Sequence, residues 1–188
     1  MWLGSATKMR TPPVVKSARR SQSCSFTRIG KARGFWTRSK TASKRNVNDL
    51  TVGPVLTQTT EQILAHTQSL LKNPGASLLF GGKELENHKI PDKYGAVEPT
   101  AVFVPVVEMM KMENFGTCCQ ELFAPFQVVT MFNDDSLDTV LEACERVSHH
   151  LTAAIVSNDA EFQHKVVSSS VNGTSYVGRR ARSTYSTV

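Results

Sequence analysis

An α/β fold, with a mainly parallel sheet and flanking helices, is what this 188-residue sequence predicts. Three observations predict it. Short apolar runs of strand length alternate with stretches of helical periodicity from about Asn48 onward. Thr, Ser, Asp or Asn precedes each helical stretch, and those side chains accept from the free amides of a first helical turn. Glycine and proline punctuate the joints between the runs.

The elements follow in order. Residues 50–56 form an extended stretch interrupted by Gly53-Pro54. Thr59 or Thr60 caps a helix that puts Ile63, Leu64, Thr67, Leu70 and Leu71 on one face, and Asn73-Pro74-Gly75 stops it. Ser77-Leu78-Leu79-Phe80 is a short strand ended by Gly81-Gly82. A turn-rich loop over residues 83–99 leads to a strand over residues 100–105. Phe126-Gln127-Val128-Val129-Thr130-Met131-Phe132 is the next strand. Asn133-Asp134-Asp135-Ser136 supplies turn and cap residues for a helix carrying Leu137, Val140, Leu141, Cys144 and Val147 inward. Residues 151–156 are a strand, and Ser157-Asn158-Asp159 caps a helix with Phe162, Val166 and Val167 inward. Residues 171–176 read as the last strand.

Charge divides the chain. Residues 1–48 hold 12 Lys and Arg and no Asp or Glu, whereas the remainder holds 10 Lys and Arg and all 16 acids. Residues 1–47 form a basic, Ser- and Arg-rich segment that cannot bury much surface and reads as disordered. Residues 48–176 have the composition of a folded domain, and residues 177–188 read as a disordered tail.

A cationic, acid-free N-terminus is the composition of a mitochondrial transit peptide, drawn toward an inside-negative matrix. Pro12-Pro13 limits its helical potential. The alternatives are a cytoplasmic chain with a functionless N-terminus, or a nucleic-acid-binding arm in which Trp2, Phe26, Phe35 and Trp36 stack bases. No zinc-finger, helix-turn-helix or RNP-type pattern accompanies that arm. No apolar run approaches the roughly 20 residues that span a bilayer, so no membrane role is expected.

The cysteines are Cys24, Cys118, Cys119 and Cys144, and reduced thiols are expected of them. No metal site is expected. Cys118-Cys119 alone lacks the ligand count, and a Cys144–His149 pair is more simply a core thiol and a helix-terminal histidine.

The segment Glu121-Leu122-Phe123-Ala124-Pro125-Phe126 resembles the Glu-x-Phe-Gly-Pro segment of aldehyde dehydrogenases. Further segments fall in the family's order: Leu79-Phe80-Gly81-Gly82-Lys83-Glu84-Leu85, Tyr94-Gly95-Ala96-Val97-Glu98-Pro99-Thr100, and Val171-Asn172-Gly173-Thr174. From about Asn48 to Thr174 the chain resembles part of an aldehyde dehydrogenase catalytic domain, nearest to the delta-1-pyrroline-5-carboxylate dehydrogenases of plants and protists.

This resemblance implies an oxidoreductase of proline catabolism that oxidises glutamate 5-semialdehyde, a small-molecule aldehyde, to glutamate with NAD. A cysteine thiolate forms a thiohemiacetal, hydride transfer leaves a thioester, and an activated water hydrolyses it. Glu121 would accept hydrogen bonds from the nicotinamide ribose, and Phe123 would pack beside the nicotinamide ring. Ser21-Gln22-Ser23-Cys24-Ser25 resembles the family's Gly-Gln-x-Cys-Ser and makes Cys24 the candidate nucleophile, unless residues 1–45 are removed as a transit peptide.

Two departures accompany the resemblance. Ala124 stands where the family has glycine, and a left-handed backbone there would cost about 1 kcal/mol or more. No cofactor-binding Rossmann half or general-base glutamate is found, so the chain is expected to be inactive alone. It would then act by associating with itself or with a full-length homologue.

Overall fold

The computed structural model describes residues 14–19, 22–28, 54–148, 150–178 and 183–185. Most of the basic segment, His149 and the end of the tail therefore lie outside the described residues. So do residues 50–53 of the first extended stretch, from which Val55 remains as an isolated antiparallel bridge to Gly95.

The first helix, α1 (Thr60–Leu71), starts where a reciprocal cap forms. The Thr59 hydroxyl accepts from the Gln62 amide at 3.3 Å, and the Gln62 side chain accepts from the Thr59 amide at 2.9 Å. Such a cap contributes about 1 kcal/mol. Ile63, Thr67 and Leu70 are its buried face, with Leu64 and Leu71 packed beside them.

Strands β1 (Val14–Arg19) and β2 (Gln22–Arg28) lie within the basic segment, where the sequence reading placed no element. They are followed by β3 (Ser77–Phe80), β4 (Thr100–Phe103) and β5 (Phe126–Phe132). Then come β6 (Thr152–Val156), β7 (Thr174–Val177) and β8 (Ser183–Tyr185). One sheet holds them in the order β3-β4-β5-β2-β1-β6-β7-β8.

Among the described residues, parallel pairing joins β4 to β5, β5 to β2 and β6 to β7. The remaining ladders are antiparallel, so the sheet is mixed. The reason is local: β1 and β2 are joined by only two residues, a connection that permits only a hairpin.

Helices α2 (Val106–Met109) and α3 (Met112–Cys118) form the crossover from β4 to its parallel neighbour β5, beginning just past Pro105. Asn133 caps the short 3-10 turn Asp134–Ser136, which opens α4 (Leu137–Arg146). Asp159 accepts from the Glu161 and Phe162 amides at 3.1 Å each and caps α5 (Ala160–Ser168). One apolar cluster joins Ile63 and Leu70 of α1 to Phe126, Val128 and Phe132 of β5 and to Val140 and Val166 of α4 and α5. Phe132 stacks on Phe162 with ring planes 9° apart. Strand β5 is thus central, and most of its residues are buried, as a strand covered on both faces requires.

Candidate functional site

Two polypeptide routes converge on the 121–126 segment. One is α3, whose last turn closes with the Cys119 amide donating to the Phe115 carbonyl at 2.9 Å. The other is the Gly81-Gly82 corner after β3. Both glycines have positive φ, 73° and 77°, a left-handed backbone that side chains resist. A Cβ on Gly81 would meet the Pro99 carbonyl and lie 2.6 Å from the Thr100 Oγ1.

That close approach places Thr100 as a hub. Its hydroxyl accepts from the Gly82 amide at 2.9 Å and donates to the Glu98 carbonyl at 2.7 Å. Its own amide donates to the Pro125 carbonyl at 2.8 Å. The end of the segment is thereby fixed from behind, at the edge where β4 and β5 start side by side with Thr100 opposite Phe126.

Within the segment the Ala124 amide donates to the Leu122 carbonyl, and the Phe126 amide donates to the Ala124 carbonyl at 2.7 Å. These are consecutive three-residue turns. Ala124 is not among the residues of positive φ, so alanine in place of glycine carries no left-handed strain, and its methyl is buried.

The tight turns split the side chains sharply. Leu122 is 1% exposed and Ala124 5%, whereas Phe123 between them is 52% exposed. Leu122 and Ala124 belong to the core cluster and anchor the loop. Glu121 is half-buried, with its Oε1 shielded from solvent. A carboxylate acceptor and an exposed aromatic ring thus stand two residues apart on a fixed loop. These are donor-set features that suit a ribose hydroxyl and a planar ring.

Cys24 stands in β2, its Cα opposite Val128 on β5 and Ser17 on β1. Gln22 is paired with Phe126, so Cys24 lies two residues in from the edge that the segment enters. At strand rise that is roughly 7 Å along the sheet. The structure therefore places the Cys24 backbone on the strand parallel and adjacent to β5, which the segment enters at Phe126.

Two of the other thiols, Cys118 and Cys144, are poor nucleophiles. Burial, then the neighbouring Cys119, pushes the Cys118 thiol up to about 12. The same causes in the same order push Cys144 up to about 12. Both stay protonated at neutral pH. Thr100 escaped the sequence reading as a site-building residue. The signal for it was the Gly-Gly pair, which announces a close backbone approach without naming what approaches.

The aldehyde dehydrogenase family model matches residues 36–187, which include Glu121 and Phe123 and exclude Cys24. A probable aldehyde dehydrogenase from Linum usitatissimum is 57% identical over 143 residues, 76% of this chain and 26% of that protein. A mitochondrial delta-1-pyrroline-5-carboxylate dehydrogenase from Arabidopsis thaliana is 55% identical over 144 residues, again 76% of this chain and 26% of the relative. The chain spans about a quarter of the length of these curated relatives.

Among solved structures, a lactaldehyde dehydrogenase superposes with TM-score 0.63 at 18% identity, covering 86% of this chain and 32% of that one. A putative aldehyde dehydrogenase from Anabaena variabilis gives 0.61 at 17% identity, covering 82% and 31%. At that identity the structures speak to fold alone, but the family model covers most of the sequence. This chain belongs to the aldehyde dehydrogenase family.

Proposed function

We propose that this chain serves the NAD-dependent oxidation of glutamate 5-semialdehyde to glutamate, with the 121–126 segment as the nicotinamide side of the cofactor site. The observation that carries the reading is the exposed Phe123 ring held between two buried neighbours. An aromatic ring left in solvent by a loop otherwise anchored in the core is available to stack on a planar ligand.

NAD, when bound, supplies the hydride acceptor. The residues of this chain would hold its nicotinamide end. The Glu121 carboxylate accepts from ribose hydroxyls. The Phe123 ring limits the tilt of the nicotinamide, and Thr100, through Pro125, keeps both at a constant height above the sheet edge. Cys24, on the strand beside β5, supplies the sulfur that attacks the aldehyde carbon. The mitochondrial location follows that of the Arabidopsis relative, and the substrate follows the resemblance to delta-1-pyrroline-5-carboxylate dehydrogenases.

The test is a calorimetric titration of the full chain with NAD, followed by NADH production with glutamate 5-semialdehyde. NAD binding that weakens at least tenfold in Phe123→Ala and Glu121→Gln, with unchanged thermal melting, supports the reading. Absence of NAD binding by the unaltered chain overturns it.

A further inference from the structure

The sequence holds one Asn-Gly pair, Asn172-Gly173, at the entry to β7. Packing explains the glycine. A Cβ on Gly173 would lie 3.1 Å from the Leu151 carbonyl oxygen, so a residue without one lets the two chain segments run this close. The same missing side chain removes the bulk that would hinder attack by the Gly173 nitrogen on the amide beside it. Tight packing has thus put the dipeptide most prone to deamidation at a strand join.

Two sets of bonds hold the pair. The Gly173 amide donates to the His150 carbonyl at 2.9 Å, and the Thr174 amide donates to the Leu151 carbonyl at 3.0 Å. Asn172 is 8% exposed, and its Nδ2 donates to the Ser170 Oγ at 3.2 Å. The Ser170 hydroxyl in turn donates to the Val166 carbonyl in the last turn of α5 at 2.7 Å. A relay therefore runs from the end of α5 to the start of β7. It requires an amide at position 172. The single hydroxyl proton of Ser170 is already given to Val166, so a carboxylate oxygen there would face lone pairs with no proton between.

We propose that Asn172 is a gated self-modification site, closed to deamidation while β7 is seated on β6 and open when β7 leaves it. In the open chain the Gly173 nitrogen loses its proton to solvent and attacks the Asn172 Cγ. The N–Cγ bond forms, the Cγ–Nδ2 bond breaks, and Nδ2 takes up a proton from water and leaves as ammonia. Water then adds to one of the two ring carbonyls of the succinimide. The ring opens to aspartate or, with the main chain rerouted through Cγ, to isoaspartate. No electrons are exchanged. In the seated chain the Gly173 proton is engaged by His150 and the Asn172 amide by Ser170, and attack requires breaking both bonds. The reaction therefore runs at a rate scaled by the open fraction. The product reseats poorly, because it buries a carboxylate where the relay offers it no proton.

The test incubates the full chain at mildly alkaline pH, in buffer and in urea strong enough to unfold it. Mass spectrometry follows the peptide that spans residue 172, and enzymatic carboxyl methylation counts its isoaspartate. Deamidation is expected to be about tenfold or more slower in the folded chain than in urea. Val177→Ala removes a buried contact of β7 and should raise the native rate in step with exchange of the Gly173 amide. Should that variant not fold, urea below the unfolding transition supplies the same opening in the unaltered chain. Asn172→Asp should melt below the unaltered chain, with faster amide exchange over residues 171–177. Equal rates in buffer and urea, a native rate that stays constant while Gly173 exchange quickens, or an Asn172→Asp chain that melts like the unaltered one would overturn the proposal.

Discussion

His66 of α1 and Phe126, the first residue of β5, meet in a T-shaped ring contact with centroids 5.6 Å apart and planes at 73°. The contact pins the helix to the strand at the point where the 121–126 segment enters the sheet. It also makes that junction sensitive to protonation. Burial holds the His66 pKa below its ordinary value of 6.5, so the folded chain favours the neutral ring.

The pH dependence follows from that direction. Below 6.5 the unfolded chain takes up a proton on this histidine before the folded one does. The contribution of His66 is therefore complete above 6.5 and is lost as pH falls from there through the folded value. Urea midpoints measured across this range should decline for the wild type, and His66→Leu should remove part of the decline. Parallel curves for the two proteins would count against the assignment.

Leu122→Ala and Phe123→Ala should separate stability from ligand binding. Leu122 is buried in the core, and its truncation should cost about 2–5 kcal/mol. Phe123 is exposed, and its truncation should leave stability within about 0.5 kcal/mol while weakening NAD binding. Chemical denaturation of the two variants, set beside NAD titration, checks the pair.

Thr130→Val should stabilise the chain. Thr130 is buried in the middle of β5, and its Oγ1 has no hydrogen-bond partner among the described residues. A methyl of nearly the same shape removes that desolvation cost, and a gain of about 1 kcal/mol is expected in denaturant titration.

Gly81→Ala should be costly at a distance. The left-handed backbone alone costs about 1–2 kcal/mol with a Cβ present. The added methyl would also press on the Pro99 carbonyl and on Thr100. Displacing Thr100 loosens its bond to Pro125, so exchange of the Phe126 amide should quicken along with the drop in melting temperature. Hydrogen exchange read residue by residue distinguishes this from a uniform loss of stability.

Much of the fold was legible where the sequence is locally consistent. Strand β5 was readable because a central strand is apolar almost without interruption, and its ends coincide with Pro125 and with the capping Asn133. The start of α1 was readable as Thr59 or Thr60, and the reciprocal bonds with Gln62 fix it at Thr59. Helices α2 and α3 were not, because runs of four and seven residues contain too few turns to show a period. Strand β7 begins at Thr174, three residues later than expected, since residues 171–173 are held by the Gly173–His150 and Thr174–Leu151 main-chain bonds of the approach to the sheet.

At the site, residue types betrayed the segment but not its support. Glu121, Phe123 and Pro125 stand out by chemistry. Leu122, Ala124 and Thr100 act through burial and main-chain bonds, which a one-dimensional reading cannot weigh. The expected strain at Ala124 depended on a backbone torsion that the structure supplies with the opposite sign.

Because the Pro125 carbonyl is held by the Thr100 amide and Leu122 is seated in the core, the loop that carries Phe123 is held in one shape by its own scaffold. Ordering a loose loop would cost about 1–2 kcal/mol for each residue stilled. A planar ring arriving here meets only the residual freedom of one phenyl group, on the order of 1 kcal/mol. On the proposed function, preorganisation makes position 123 a dial: exchanging that side chain would alter what is gripped and how tightly, while the scaffold behind it keeps its form.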